Sequence, residues 1–446
     1  MKIYKLFILS IAVMGINSLL AQNPIIRDQF SADPTARVFN GKVYLYPSHD
    51  IPTPNGKGLR KDWFCMEDYH VFSSENLTNW TDYGIILSQD KVPWTNPKAY
   101  SMWAPDCVSK NGKYYFYFPA APDSSYGQEF LIGVAVADNP IGPFVPQTKP
   151  IKNVQGIDPN VFIDKDGQAY LIWSERGFCI AKLNDDMTEL ASEPTVIVNL
   201  PEKGLKEGPF LFERKGIYYL TFPHVENKTE RLEYAISNSP MGPYKMTGVI
   251  MDESTTGCWT NHQSFINYKN QWYLFYHHND YSPKFDKNRS VRVDSIFFNT
   301  DGTIRKVKPT LRGVGLTRAS EKIQIDRYSS ISETGSSIAF IDSLNYFNGW
   351  KTILNSKNAW IKYNTVAFGK EKLKRVQIKA MSENGSTLQI RLDKTDGQVI
   401  AEVKVPKGSS WNIYEAKMLK YEKGIHNLVI ELKDENRVEF DWIKFE

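Results

Sequence analysis

The segment LKEGPFLFERKGIYYLTFPH, Leu205 to His224, decides how the rest of the chain is read. Its second half, Gly-Ile-Tyr-Tyr-Leu-Thr-Phe, follows a Lys-Gly turn and is a short run of β-branched and aromatic residues, the composition of a β-strand. The run before it, Pro-Phe-Leu-Phe, is apolar at nearly every position and predicts a strand buried on both faces. At the mouth of that buried strand stands Glu207, a carboxylate placed where desolvation is costly.

Four other stretches repeat the pattern: ADPTARVFNGKVYLYPS from Ala32, APDCVSKNGKYYFYFPA from Ala104, IDPNVFIDKDGQAYLIW from Ile157 and NHQSFINYKNQWYLFYH from Asn261. Each has a polar head, a short apolar strand, a turn and a second strand rich in Tyr and Phe. The heads are Asp33, Asp106, Asp158, Glu207 and His262, spaced by 73, 52, 49 and 55 residues. Strand-turn-strand units recurring at about 40–50 residues predict a β-propeller, here with five blades. NPIGPF at Asn139 and SPMGPY at Ser239 recur in the same way, as an outer corner used in two blades. In a propeller each head begins an innermost strand, so all five converge on one end of the axis. A single acid at a strand mouth is a turn cap, whereas four acids and a histidine gathered together raise one another's pKa and predict a functional site.

Bulk composition fits this reading. The chain has 446 residues, 41% hydrophobic and 23% charged, an ordinary globular balance with room for more than one core. Its 24 Tyr and 11 Trp suit sheet faces and sugar platforms. The first residues, MKIYKLFILSIAVMGINSLLAQNP, read as a signal peptide over 1–21, cleaved after Ala21, which makes the mature protein secreted or periplasmic. Net charge is +4, and +2 once Lys2 and Lys5 leave, so there is no electrostatic case for nucleic acid or, after cleavage, for a membrane. Four cysteines (Cys65, Cys107, Cys179, Cys258) match no zinc spacing, and their pairing is not readable from sequence.

Two carboxyl groups facing a sugar are the minimum equipment for cleaving a glycosidic bond: one protonated to serve the leaving oxygen, one ionised to activate water or attack the sugar. The long arm of Glu207 and its apolar surroundings suit the acid. The head segments, together with SMWAPD, HVFSSENLTNWTDYG and RSVRVDSIFFNTDGTI, resemble glycoside hydrolase family 43 from about Asn23 to Gly315. Single motifs are weak, but their order along the chain is specific. The resemblance implies an inverting glycosidase in which Asp33 is the general base, Asp158 orients the acid and adjusts its pKa, and Glu207 is the general acid. It also implies Trp103 and Asp106 at the substrate, and His262 either lining the substrate site and holding calcium through water or serving as a structural histidine; Arg292 either reaches the acid or a sugar hydroxyl or forms a surface salt bridge. Such enzymes release arabinofuranose, with xylopyranose close behind and galactose as an alternative, from plant polysaccharide side chains. The insertion HDIPTPNGKGLRKDWFCMEDYH, His49 to His70, is expected to wall one side of an exo-acting pocket with Trp63 and Phe64. A non-catalytic carbohydrate-binding propeller is the rival reading; presence of the whole trio favours the enzyme.

The blade pattern ends near residue 318. From 322 to 446 the runs NAWIKYNTVAFG, LKRVQIKAMS, STLQIRLD, VIAEVKVP, HNLVIELK and VEFDWIKFE alternate apolar and polar residues, predicting an antiparallel β-sandwich. This part resembles the family 6 carbohydrate-binding modules, jelly rolls with a structural calcium, whose ligands fall on Asp326 and Asp441. Trp411 is the candidate sugar platform and Trp360 and Trp442 are expected in the core; the domain either binds sugar or buttresses the propeller. The chain is therefore expected to be all-β: a propeller over 22–318, then a jelly-roll sandwich over 322–446. Calcium is the only cofactor implied, with no organic cofactor, and the expected partner is an arabinose- or xylose-containing oligo- or polysaccharide.

Overall fold

In the computed structural model, residues 23–75, 77, 80–311, 313–314, 317–325, 328, 330–342, 350–369 and 372–446 are described; the expected signal peptide (1–21) and Asp326 lie outside them. Strands dominate, and Gln89–Lys91 and Ser124–Tyr126 are short 3-10 segments. Five consecutive sheets form the blades. The first runs Ala32–Phe39, Lys42–Ser48, Asp68–Ser74 and Thr81–Ser88, each strand antiparallel to the one before. The next three repeat this order, and the fifth has three strands, Ser264–Tyr268, Gln271–His278 and Ser290–Ile296.

Turn chemistry sets the inner hairpins. Asn40-Gly41, Asn111-Gly112, Lys215-Gly216 and Lys269-Asn270 all have positive φ at both positions, the backbone of a type I′ turn. That turn matches the right-handed strand twist, so each inner strand folds straight back on its aromatic partner. The blades then pack face to face through those aromatics: Tyr46, Tyr69, Phe116 and Phe118 lie in one shared core, and Phe210, Phe212, Tyr219 and Phe265 in another.

The ring closes between the first and fifth blades, whose Ala36, Val43, Phe275 and Val291 share one cluster with Ile26. The segment before the first blade seals it. Ile25 donates its N–H to Val291 O at 2.9 Å, and the Asn23 side chain exchanges hydrogen bonds with the backbone of Val293 at 2.8 and 3.0 Å. These contacts join residues about 270 apart in sequence, which removes the free sheet edge an open fan would leave.

The C-terminal part is two packed sheets. One orders Thr317–Arg318, Trp360–Phe368, Gly424–Leu432, Ser386–Leu392 and Val399–Val405; the other orders Ser336–Phe340, Trp350–Leu354, Val438–Phe445, Arg375–Ser382 and Gly408–Lys417. Burial alternates along Arg375–Ser382 and Ser386–Leu392, as period-2 patterning requires. The sandwich takes up the chain earlier than the expected boundary: Thr317 and Arg318 pair with Val366 and Ala367, and Ile323 pairs with Ile443. Residues 317–318, assigned to the propeller from sequence, are thus sandwich strand. All four cysteines are buried and unpaired.

Candidate functional site

Counting six residues back from the last paired residue of each tight inner hairpin (Phe39, Lys110, Arg214, Tyr268) reaches Asp33, Ala104, Gly208 and His262. In the third blade the corresponding residue is Asp158, since Pro159 matches Pro34. Asp33 and Asp158 have φ of +46° and +55°, a left-handed backbone that is costly for a non-glycine residue and more so before proline. Register shifts accompany both, between Ala32 and Thr35 and between Ile172 and Ser174. The strained turn aims each carboxylate at the axis instead of along the sheet. In the fourth blade Gly208 holds the left-handed position with φ of +58°, and Glu207 sits one residue before it.

These residues share a cavity of about 110 Å³ with Trp63, Phe64, Trp103, Trp259 and Arg289. That volume suits one sugar ring. A larger void of about 340 Å³ opens at the other end of the axis, between Phe39, Phe162 and Phe212, and has only Glu213 as an acid.

Charge is divided sharply inside the small cavity. Burial pushes the Asp33 carboxyl up, but Arg289 beside it prevails and holds it at about 2. The guanidinium nitrogens lie 2.8 and 3.1 Å from the two Asp33 oxygens, and the Ser48 hydroxyl donates at 2.7 Å. His277 accepts the Asp33 backbone N–H at 3.1 Å; burial and then Arg289 keep its imidazole neutral, so it contributes a bond and not a charge. Arg289 is in turn fixed by Asp50 at 2.8–2.9 Å.

The remaining acids go the other way. Burial raises Asp158 to about 7, opposed by His262 and reinforced by Glu207, while the Gly208 N–H bonds it at 2.9 Å. Glu207 is raised by burial, with a hydrogen bond from Glu230 pulling it back and Asp33 pushing it up. Glu230 is fully buried, and burial together with Glu207 raises it well above the usual carboxylate range. Its Oε2 accepts the Asn261 N–H at 2.6 Å, while Oε1 finds no other donor. Two neighbouring buried carboxyls oppose each other's ionisation. One carboxylate held ionised, facing others whose pKa is pushed up, is the division of labour that acid–base catalysis on a neutral substrate needs.

Of the residues expected at the site, Asp33, Asp158, Glu207, His262 and Trp103 line the cavity, as do Trp63 and Phe64 of the insertion. Asp106 does not. In its strand proline precedes the acid instead of following it, so Asp106 occupies the register of Thr35 and Asn160, two residues deeper. There Arg37 grips it at 2.7 and 3.0 Å, and Asn160 Nδ2 and the Val161 N–H donate to it, leaving nothing for substrate. Arg292 also points elsewhere: it pairs with Asp280 and borders the cavity where Tyr328 and Ile338 of the sandwich meet the propeller. The arginine of the site is Arg289, three residues earlier. Arg289 and Glu230 were missed from sequence, although each stands at the head of a third strand, the end that returns to the site.

The expected calcium ligands fit poorly. A calcium takes roughly six to eight oxygens; His262 could reach one only through water, and the nearby Asp33 oxygen, 3.9 Å from its ring, is already held by Arg289. Asp441 is bound by the Lys379 ammonium at 2.8 Å, a cation already in place. In the sandwich Trp442 is buried as expected, Trp360 is half-buried, and Trp411 is half-buried with Lys379 over its ring.

Comparison with known proteins gives the same picture. Residues 21–304 match glycosyl hydrolases family 43, and residues 331–446 match the family 6 carbohydrate-binding module. Xylosidase/arabinosidase 43A of Humicola insolens is 37% identical over 334 residues, covering 64% of this chain and 99% of that protein. A xylosidase/arabinosidase of Bacteroides ovatus is 34% identical, covering 63% and 95%. Among solved structures, a family 43 beta-xylosidase/alpha-arabinofuranosidase from a compost microbial metagenome, crystallised with xylotriose in a calcium-free form, is 33% identical at a TM-score of 0.58 and covers 64% of this chain and 97% of its own. An arabinoxylan arabinofuranohydrolase of Bacillus subtilis, in complex with cellotetraose, is 25% identical at a TM-score of 0.56 and covers 96% of this chain and 99% of its own.

Proposed function

The chain belongs to glycosyl hydrolases family 43, and from that premise we propose that this glycoside hydrolase releases single terminal β-D-xylopyranosyl and α-L-arabinofuranosyl residues from xylan- or arabinoxylan-derived chains, with inversion at the anomeric carbon. The names of the relatives support the pair of sugars, and a cavity the size of one ring supports the exo mode. The N-terminal segment supports export, so the enzyme acts outside the cytoplasm on polysaccharide fragments.

The observation that carries the chemistry is the opposed displacement of the Asp33 and Glu207 pKa values in one cavity, the first held down by Arg289 and the second raised by burial. Asp33, ionised, takes a proton from a water poised at the anomeric carbon. The new C–O bond forms on one face as the glycosidic C–O bond breaks on the other. Glu207, protonated, gives its proton to the departing oxygen, and the two carboxyls exchange charge until solvent restores them. Asp158, bonded to the N–H of Gly208 beside the acid, is a positioning residue. Trp63, Phe64, Trp103 and Trp259 present apolar faces to the sugar ring and exclude water.

Hydrolysis of aryl β-D-xylopyranoside, α-L-arabinofuranoside and β-D-galactofuranoside, with Glu207→Gln as control, tests this reading. Turnover of the first two, lowered on the order of 10²–10⁴-fold in the control, is expected. Turnover of the galactofuranoside alone would replace the sugars. Undiminished turnover of an alkyl glycoside by the control would remove the acid assignment. Silence on these and on xylo- and arabinoxylo-oligosaccharides would favour a binding-only propeller.

A further inference from the structure

The insertion that walls the cavity begins and ends with histidine, at His49 and His70, and its two ends meet. His49 leaves the second strand of the first blade, while Asp68 and His70 open the third. His49 Nδ1 lies 2.7 Å from Asp68 Oδ1, and His70 Nε2 lies 3.9 Å from the same oxygen. One donor atom from each of the three falls within 4.8 Å of the others. All three side chains are mostly covered, at 20%, 11% and 15% exposure, so the point where they converge keeps an opening for water.

We infer that His49, Asp68 and His70 form a binding site for a divalent transition ion of the zinc class, which staples the base of the insertion. The setting of His70 argues for it. Asp82, on the fourth strand, faces His70 Nδ1 at 3.0 and 3.1 Å. On the other side of the ring, Nε2 and Asp68 Oδ1 stand 3.9 Å apart with no hydrogen bond between them. The gap is too long for a hydrogen bond, but a zinc ion about 2.0–2.1 Å from each ligand spans it almost end to end. In a tetrahedral site ligand atoms lie roughly 3.4 Å apart, so His49 would retreat from the Asp68 oxygen by about 0.7 Å and His70 would approach it by about 0.5 Å. A carboxylate that fixes a ligating imidazole through its other nitrogen is the usual outer shell of such a site. Two imidazoles and one carboxylate suit zinc, nickel or copper and not calcium or magnesium, which prefer all-oxygen shells. No Lys or Arg pairs with Asp68 among the described residues; the bond a metal ion would displace is the one between His49 Nδ1 and Asp68, with its proton.

The staple would act on the cavity through the chain it closes. Asp50, next to His49, holds Arg289, and Arg289 holds Asp33. Ile51 N–H bonds Cys65 O at 2.9 Å just above the junction, and Trp63 and Phe64 project from the loop beyond into the cavity. The site is separate from the catalytic carboxyls and holds whichever sugar is cleaved.

The test uses the full-length, untagged protein after dialysis against EDTA, titrated with zinc chloride by calorimetry and with cobalt(II) by visible absorption. One equivalent of zinc is expected, with cobalt bands of a nitrogen–oxygen site and slower tryptic cleavage at Arg60 and Lys61. His70→Gln should lose that equivalent. Asp82→Asn, which leaves all three ligands in place on an exposed strand, should weaken zinc by roughly 10–100-fold and keeps the test valid should His70→Gln fold poorly. Absence of a stoichiometric equivalent, or unchanged binding in both variants, would overturn the assignment.

Discussion

Replacing Asp158 by Asn should stabilise the protein at neutral pH while removing most of its activity. The carboxyl is buried and its pKa stands at about 7 against an ordinary 3.8, raised mainly by burial, with His262 opposing. At about 1.36 kcal/mol per pH unit, that displacement corresponds to about 4 kcal/mol. The sign follows from proton linkage: between pH 4 and 7 the unfolded chain gives up a proton the native state keeps, so wild-type stability falls as pH rises through this window. The amide of the Asp158→Asn variant does not titrate, yet its carbonyl oxygen can still accept the Gly208 N–H and the Ser174 hydroxyl that Asp158 Oδ2 takes at 2.9 and 3.4 Å. The advantage of the variant over wild type should therefore be near zero at pH 4 and grow to as much as about 4 kcal/mol at pH 8. For a propeller of this size that is a rise in melting temperature on the order of 5 °C. Calorimetric melting of both proteins at pH 4.5, 6 and 8, with kcat measured on the same samples, decides it. A difference that does not change with pH, or a variant less stable than wild type at pH 8, would refute the reasoning.

Other expectations follow from the same geometry. Glu230 lowers Glu207 through a hydrogen bond, so Glu230→Leu should raise the Glu207 pKa and move the alkaline limb of kcat/KM to higher pH, whereas Glu230→Gln should leave that limb nearly in place; pH–rate profiles distinguish them. Arg289→Met removes the charge that holds Asp33 near 2, so the acid limb should shift upward and kcat fall at pH 4–5 more than at pH 7. Asp106→Ala leaves Arg37, partly exposed at the end of the axis, without its partner and strands the Asn160 and Val161 donors; it should cost on the order of 1–3 kcal/mol of stability, seen as a lower urea midpoint, with KM of the surviving folded fraction unchanged.

The blades were legible because their signals are local. Asn-Gly and Lys-Gly turns, each followed by a tyrosine-rich strand, announce a hairpin without reference to the rest of the chain. Convergence of Asp33, Asp158, Glu207 and His262 followed from the repeat alone. Asp106 was misplaced because the five heads were aligned by polarity. Aligning them by proline, Asp-Pro in two blades and Pro-Asp in the second, puts Asp106 two residues deeper, where Arg37 waits. Arg289 acts across blades, 256 positions from Asp33, and Glu230 acts from another strand of its own blade, 23 positions from Glu207, so the strand-turn-strand repeat marks neither. The seal of Asn23 on Val293 is of the same kind. Even so, a charged residue opening a third strand was a signal available in the sequence: Asp68, Glu230 and the Arg289-Ser290 step all stand there.

The central claim is that Asp33 activates a water while Glu207 protonates the leaving oxygen, in one displacement. Proton NMR of an aryl β-D-xylopyranoside during its first minutes of hydrolysis tests it most directly. The account predicts α-xylose as the first sugar to appear, with the β anomer rising only as mutarotation proceeds. First release of β-xylose would mean a covalent glycosyl-enzyme intermediate and would contradict the assignment of Asp33 as a base.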